Sequence, residues 1–202
     1  MVISHPELVF PFITYAIVTT FTPGPNNASS SQAGMQQGFS KTLPYLTGIS
    51  IGFFAILAAC GLMLDFILNI YGTISPYLRW IGALYMLWLA LMPFLKSKQP
   101  SFNRQPGGYT LFNGMVLQLV NVKVILYGIT LYSSFSLLIG TSATSVLASA
   151  FFLTVVGFFS IALWTLIGST FSAYFKNKIF YYGFNIVMSL MLIYSAVAIV
   201  AY

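Results

Sequence analysis

The stretch TTFTPGPNNASSSQAG, Thr19 to Gly34, decides how this chain is read. Two prolines bracket a glycine, two asparagines follow, and small polar residues run on from there, all at the end of a strongly apolar opening. A helix started near Leu8 rises about 1.5 Å per residue and reaches Pro23 after about 22 Å, short of the roughly 30 Å of hydrocarbon in a bilayer. The break therefore falls inside the membrane. Pro23 and Pro25 each lack an amide donor, and proline disfavours helix at the residue before it, so Thr22 and Gly24 are expected to leave the helical region. Irregular backbone survives in lipid only where protein or a watery cavity surrounds it. Asn26 or Asn27 is expected to cap a helix resuming over Ala28 to Gln32, gathering free amides and the positive end of a helix dipole at that cavity. Such a place suits an anion. A plain turn at the membrane surface is the competing reading of TPGPNN.

The bilayer setting follows from composition: of 202 residues, 58% are hydrophobic and 5% charged, and the mean hydropathy is +0.90, which no water-soluble domain carries. The expected fold is an all-α integral membrane protein forming one polytopic domain. Apolar windows place six spans at about 8–28, 43–68, 76–95, 111–139, 145–173 and 179–201. The first run lacks a basic leader and a cleavage signal and reads as a retained span. Lys41, Lys96, Lys98, Arg104, Lys176 and Lys178 fall in the first, third and fifth connections. Positive residues stay on the cytoplasmic side, so both termini are expected outside. These same residues sit in short loops without a clustered aromatic face, which argues against nucleic acid as the partner.

A second oddity lies in the fourth window, MVLQLVNVKVILYGITLY, where Gln118, Asn121 and Lys123 interrupt an apolar helix. A lysine inside the bilayer costs about 3 kcal/mol on insertion scales, so Lys123 should face the bundle interior, with snorkelling to the interface as the alternative. Disruptions in the first and fourth of six spans are what a three-plus-three inverted repeat would give, and interrupted segments in matching positions point to a transporter's substrate site. Gly34 with Gly38, and Gly48 with Gly52, allow close helix approach; the second span is expected against the broken first one, and the same spacing also permits a homodimer. Asp65 is expected to pair with Arg79 across the second hairpin, with a role in proton coupling as the minor alternative.

Several functions are excluded on residue grounds. His5 is the only histidine, Glu7 and Asp65 the only acids and Cys60 the only cysteine, too few for a catalytic zinc or a hydrolytic triad. No enzyme activity, metal or other cofactor is expected. A passive channel, or a membrane assembly factor without cargo, remains as an alternative to a coupled transporter; the polar set Asn26, Asn27, Asn121 and Lys123 is costly if nothing binds there.

The sequence resembles the LysE/RhtB family of bacterial amino-acid exporters along its whole length. The matching features are TPGPNN at Thr22 to Asn27, the spaced glycines Gly34, Gly38, Gly48 and Gly52, WIGALYMLWLA at Trp80 to Ala90, and LQLVNVKVILYGIT at Leu117 to Thr130. The family's fourth-span motif is Asn-Pro-Lys, whereas Val122 stands here in place of the proline, and NVK followed by ILYG is similar to the branch that exports cysteine and O-acetylserine. The valine should leave the fourth helix less sharply broken than the first. The resemblance implies a multi-pass protein of the bacterial inner membrane that exports small neutral amino acids, by exchange with protons.

A zwitterionic cargo needs a positive partner for its carboxylate and oxygens for its ammonium. The amides around Asn26 and Asn27, with Lys123, suit the first; the carbonyls near Thr22 and Gly24, with Gln118 and Asn121, suit the second. Lys123 and Asp65 are the candidates for carrying a proton.

Overall fold

The computed structural model describes residues 5–95 and 108–201. A short 3-10 turn at Pro6–Leu8 leads into α1 (Val9–Phe21), α2 (Pro25–Gln37), α3 (Phe39–Leu62), α4 (Leu64–Leu95), α5 (Leu111–Leu119), α6 (Val122–Ile139) and α7 (Ala143–Thr170), and a 3-10 turn at Phe171–Lys176 precedes α8 (Lys178–Ala201). Among the described residues there is no strand. Helices satisfy their own backbone, as lipid requires. Lys96, Lys98 and Arg104 lie outside the described residues, as do the side chains of Lys176 and Lys178.

Three helices, α3, α6 and α7, are long and apolar enough to cross a bilayer, and α1 with α2 passes the same test as a pair bent by 46°. Shorter apolar stretches lie in α4 (Arg79–Leu91) and α8 (Tyr182–Val197). Large apolar side chains such as Phe10, Phe112, Leu137, Phe151 and Phe159 point outward, where lipid tails suit them. The driving force for helix association is then close packing rather than escape from water.

Glycines set that packing. A Cβ on Gly34 would stand 2.2 Å from the Thr165 carbonyl oxygen, and one on Gly168 would stand 2.0 Å from that of Ser31, so α2 and α7 touch backbone to backbone. Gly48 and Gly114 do the same for α3 and α5: their Cβ atoms would fall 1.9 Å from the Leu111 oxygen and 2.4 Å from the Tyr45 oxygen. The glycine face of α3 is thus turned toward α5, with Gly52 against Gln118, rather than toward the broken first span as its spacing suggested. A helix face carrying two small residues accepts any partner with a matching small residue, and here Gly114 supplies it. Gly38 serves a turn instead of a contact. At φ 79° it forms the tight corner between α2 and α3, a conformation that costs other residues strain.

Residues 68–76, expected as a loop between spans, are helical within α4, and the chain turns instead at Met63. Pro76 forfeits one ladder bond, and the apolar residues on either side carry the helix through it. Asp65 and Arg79 consequently share one helix, about 21 Å apart along its axis at about 1.5 Å per residue, which rules out the expected ion pair between them.

The two breaks lie near the middle of the bundle. In the first, Thr22 (φ −61°, ψ 134°) and Gly24 (φ −162°, ψ −175°) are extended. In the second, only Val120 and Asn121 separate α5 from α6. Both pieces of the first broken helix pack on α7, both pieces of the second pack on α3, and α4 packs on α8.

Candidate functional site

The end of α1 exposes a row of carbonyls that lose their helical donors at Pro23, Gly24 and Pro25. Each of four consecutive oxygens finds a side chain instead. Asn27 Nδ2 donates to the Thr20 and Thr22 oxygens, both at 3.0 Å, and Ser160 Oγ of α7 also donates to Thr20, at 3.0 Å. Trp164 Nε1 reaches the Phe21 oxygen at 3.4 Å. Lys123 Nζ of α6 donates to the Thr22 oxygen at 3.0 Å and the Pro23 oxygen at 3.4 Å, and Ser195 Oγ of α8 donates to Pro23 at 3.1 Å. A buried carbonyl left without a donor costs about 1–3 kcal/mol, so these contacts make the break tolerable.

The resumed helix begins three residues earlier than expected. Pro25 occupies its first turn, where a missing amide costs nothing, and Gly24 is the cap. Asn26 and Asn27 are therefore not caps but first-turn residues, and their side chains are free for long-range bonds. The Asn27 amide takes the α1 carbonyls. Asn26 instead meets the second break: Asn26 Nδ2 donates to Gln118 Oε1 at 3.0 Å, Gln118 Nε2 returns a bond to Asn26 Oδ1 at 2.9 Å, and Asn121 Nδ2 adds a third at 2.8 Å. Gln118 and Asn121 are 0% and 1% exposed.

A cavity open at its mouth lies against these groups. Thr22, Gly24, Asn26 and Asn27 line it from the first break, Asn121, Lys123 and Tyr127 from α6, Ser50 and Phe53 from α3, and Thr154 and Phe158 from α7. Gln118 stands behind Asn26. Lys123 is the one charged residue on the wall among the described residues, and its stem crosses Gly24, where an added Cβ would fall 2.9 Å from the lysine Cδ. The first-turn amides of α2 have no partner inside their helix and carry the positive end of its dipole. One buried polar atom of the wall, Asn121 Oδ1, has no hydrogen-bond partner among the described residues. Lys123 bonds backbone oxygens inside the bundle, so it does not snorkel.

The structure thus gathers Thr22, Gly24, Asn26, Asn27, Gln118, Asn121 and Lys123 about one chamber. It leaves Asp65 elsewhere, exposed in the first turn of α4. Sequence reading does not find Ser160, Trp164, Ser195 or Tyr127; a serine or an aromatic on an apolar helix carries no signal until the face opposite it is known. The chamber offers one cation and helix-terminal amides for a carboxylate, and neutral oxygens for an ammonium. No carboxylate lines it among the described residues.

The LysE type translocator family matches residues 17–202. The chain is 35% identical over 196 residues to the cysteine/O-acetylserine efflux protein of Salmonella typhimurium strain LT2, an alignment covering 96% of this chain and 98% of the relative. It is 33% identical over 198 residues to the protein of the same name from Escherichia coli strain K12, with the same coverage of both chains. No solved structure matches.

Proposed function

This chain belongs to the LysE type translocator family, and from that premise we propose that it exports small neutral amino acids of the cysteine and O-acetylserine kind by exchange with protons. It is a multi-pass inner-membrane transporter and not an enzyme. The observation that carries the cargo assignment is the pairing of an interior ammonium, Lys123, with the unpartnered Asn121 Oδ1 on the same wall.

In this reading the cargo carboxylate displaces the Thr22 and Pro23 carbonyls from Lys123 and takes the first-turn amides of α2 as further donors. Its ammonium bonds the released carbonyls and Asn121. The small side chain points toward Phe53 and Phe158. A cationic amino acid would bring a second positive charge into a chamber with one already fixed and no acid to offset it, so basic cargo is rejected.

Counting α4 and α8 as spans gives six, with both termini outside, as the loop charges favour. The element order supports a three-plus-three inverted repeat, a broken helix followed by two long ones in each half, with each broken helix seated on the first long helix of the other half and the last helices of the two halves packed together. Protons enter through Lys123, the titratable group that changes partners when cargo arrives.

Proteoliposomes loaded with O-acetyl-L-serine test this. Uphill movement driven by an imposed proton gradient, abolished by an uncoupler, is expected; a flux that only follows the cargo gradient would mean a passive channel.

A further inference from the structure

A second cavity lies on the other face of α2, between α2, α4, α5 and α8. Its polar wall is made by Ser29, Gln32, Tyr85, Asn185 and Ser189, with no charged residue on it among the described residues. Gln32 and Tyr85 have no hydrogen bond among the described residues.

Helix direction fixes where the two chambers stand. The first takes Thr19 and Thr20 from before the break and Tyr127, which stacks on Tyr15 of α1. The second takes Ser29 and Gln32, one and two turns past the break, and Tyr85, Leu89 and Leu117, nearer the 38 and 95–111 connections. They are stacked along the α1–α2 axis, and Pro25 is a wall of both. Asn26 and Asn121 on the wall of the first are joined to Gln118, the neighbour of Leu117 on the wall of the second, by three hydrogen bonds of 2.8 to 3.0 Å, with Gln118 and Asn121 closed to solvent. Bonds between neutral amides are weaker than charge-assisted ones, and the carboxylate and ammonium of a passing zwitterion can replace each of them.

We infer that the second cavity is a waiting site for the same neutral zwitterion, and that the Asn26–Gln118–Asn121 cluster is the gate between it and the Lys123 chamber. The inference rests on the export reading above. The waiting site, lacking a fixed charge, holds cargo more loosely than the Lys123 chamber, so cargo moves on rather than lodging there.

The test uses the full chain in a Cys60→Ala background, with Ala28→Cys reporting on the second chamber and Thr154→Cys on the first, each labelled in proteoliposomes with a methanethiosulfonate. O-acetyl-L-serine at about ten times the Kd of the Lys123 chamber should slow labelling of Thr154→Cys about tenfold, and a higher concentration should slow labelling of Ala28→Cys as well. Filling the second chamber with Ser29→Leu should cut export while leaving protection at Thr154→Cys intact. If Ala28→Cys does not insert, Leu117→Cys replaces it. Protection confined to Thr154→Cys, together with undiminished export by Ser29→Leu, overturns the second site and leaves the export reading standing. Failure of the Cys60→Ala parent to export O-acetyl-L-serine at all sinks the export reading, and this inference with it.

Discussion

Lys123 Nζ sits 3.0 Å from the carbonyl oxygen of Thr22, joining the start of α6 to the extended residue that follows α1. The bond ties the two broken helices together, and it is the one that cargo must exchange. Lys123→Met keeps much of the stem volume and removes the charge. Export should fall below detection while the protein still inserts, because the Thr22 oxygen retains Asn27 as a donor. Export assays alongside membrane-fraction immunoblots check this.

Gly24→Ala should displace the lysine without removing it. The added methyl would overlap the lysine Cδ at 2.9 Å, and Gly24 is extended, so the backbone itself accepts alanine. A flexible stem can move aside; melting temperature should change little while the Km for cargo rises several-fold.

Asn27→Ala withdraws a donor from the Thr20 and Thr22 carbonyls and a contact from Ser160. Thr20 keeps Ser160 as a donor and Thr22 keeps Lys123, so stability should drop by about 1–3 kcal/mol, the net worth of the two lost hydrogen bonds. Denaturation in detergent, followed by tryptophan fluorescence, measures it. Asn27→Leu should be no better, since volume is not what the site lacks.

Gly168→Ala would drive a methyl to 2.0 Å from the Ser31 carbonyl oxygen and must push α2 from α7, at a cost of about 1–3 kcal/mol. Gly183→Ala, where an added Cβ meets nothing within 4 Å, should leave the melting temperature unchanged or slightly raised.

Asp65→Asn should export normally. Asp65 is exposed on α4 and away from the chamber, so loss of proton-driven export in this variant would move the proton route from Lys123.

The break at Thr22 to Gly24 is legible in the sequence because two prolines so close together leave the backbone little freedom, and Lys123 can be placed inside because lipid punishes it elsewhere. The point where the helix resumes is not, since Asn26 and Asn27 are strong caps in general but Pro25 is a better first residue. The segment Leu68 to Pro76 misleads for the opposite reason: Gly72 and Pro76 resemble loop punctuation, yet flanking apolar residues hold the helix. Ser160, Trp164 and Ser195 are beyond reach, because their role depends on which helix faces the end of α1, and that is set by glycines that fit several partners equally well.

Whether the Lys123 ammonium receives the cargo carboxylate is tested most directly by binding of O-acetyl-L-serine and its methyl ester to the wild-type protein and to Lys123→Met. The wild type should prefer the free acid by about 30-fold or more, the size expected when one partner of a close charge pair is removed, and Lys123→Met should lose that preference. Equal binding of acid and ester by the wild type, or a preference that survives in Lys123→Met, would contradict it.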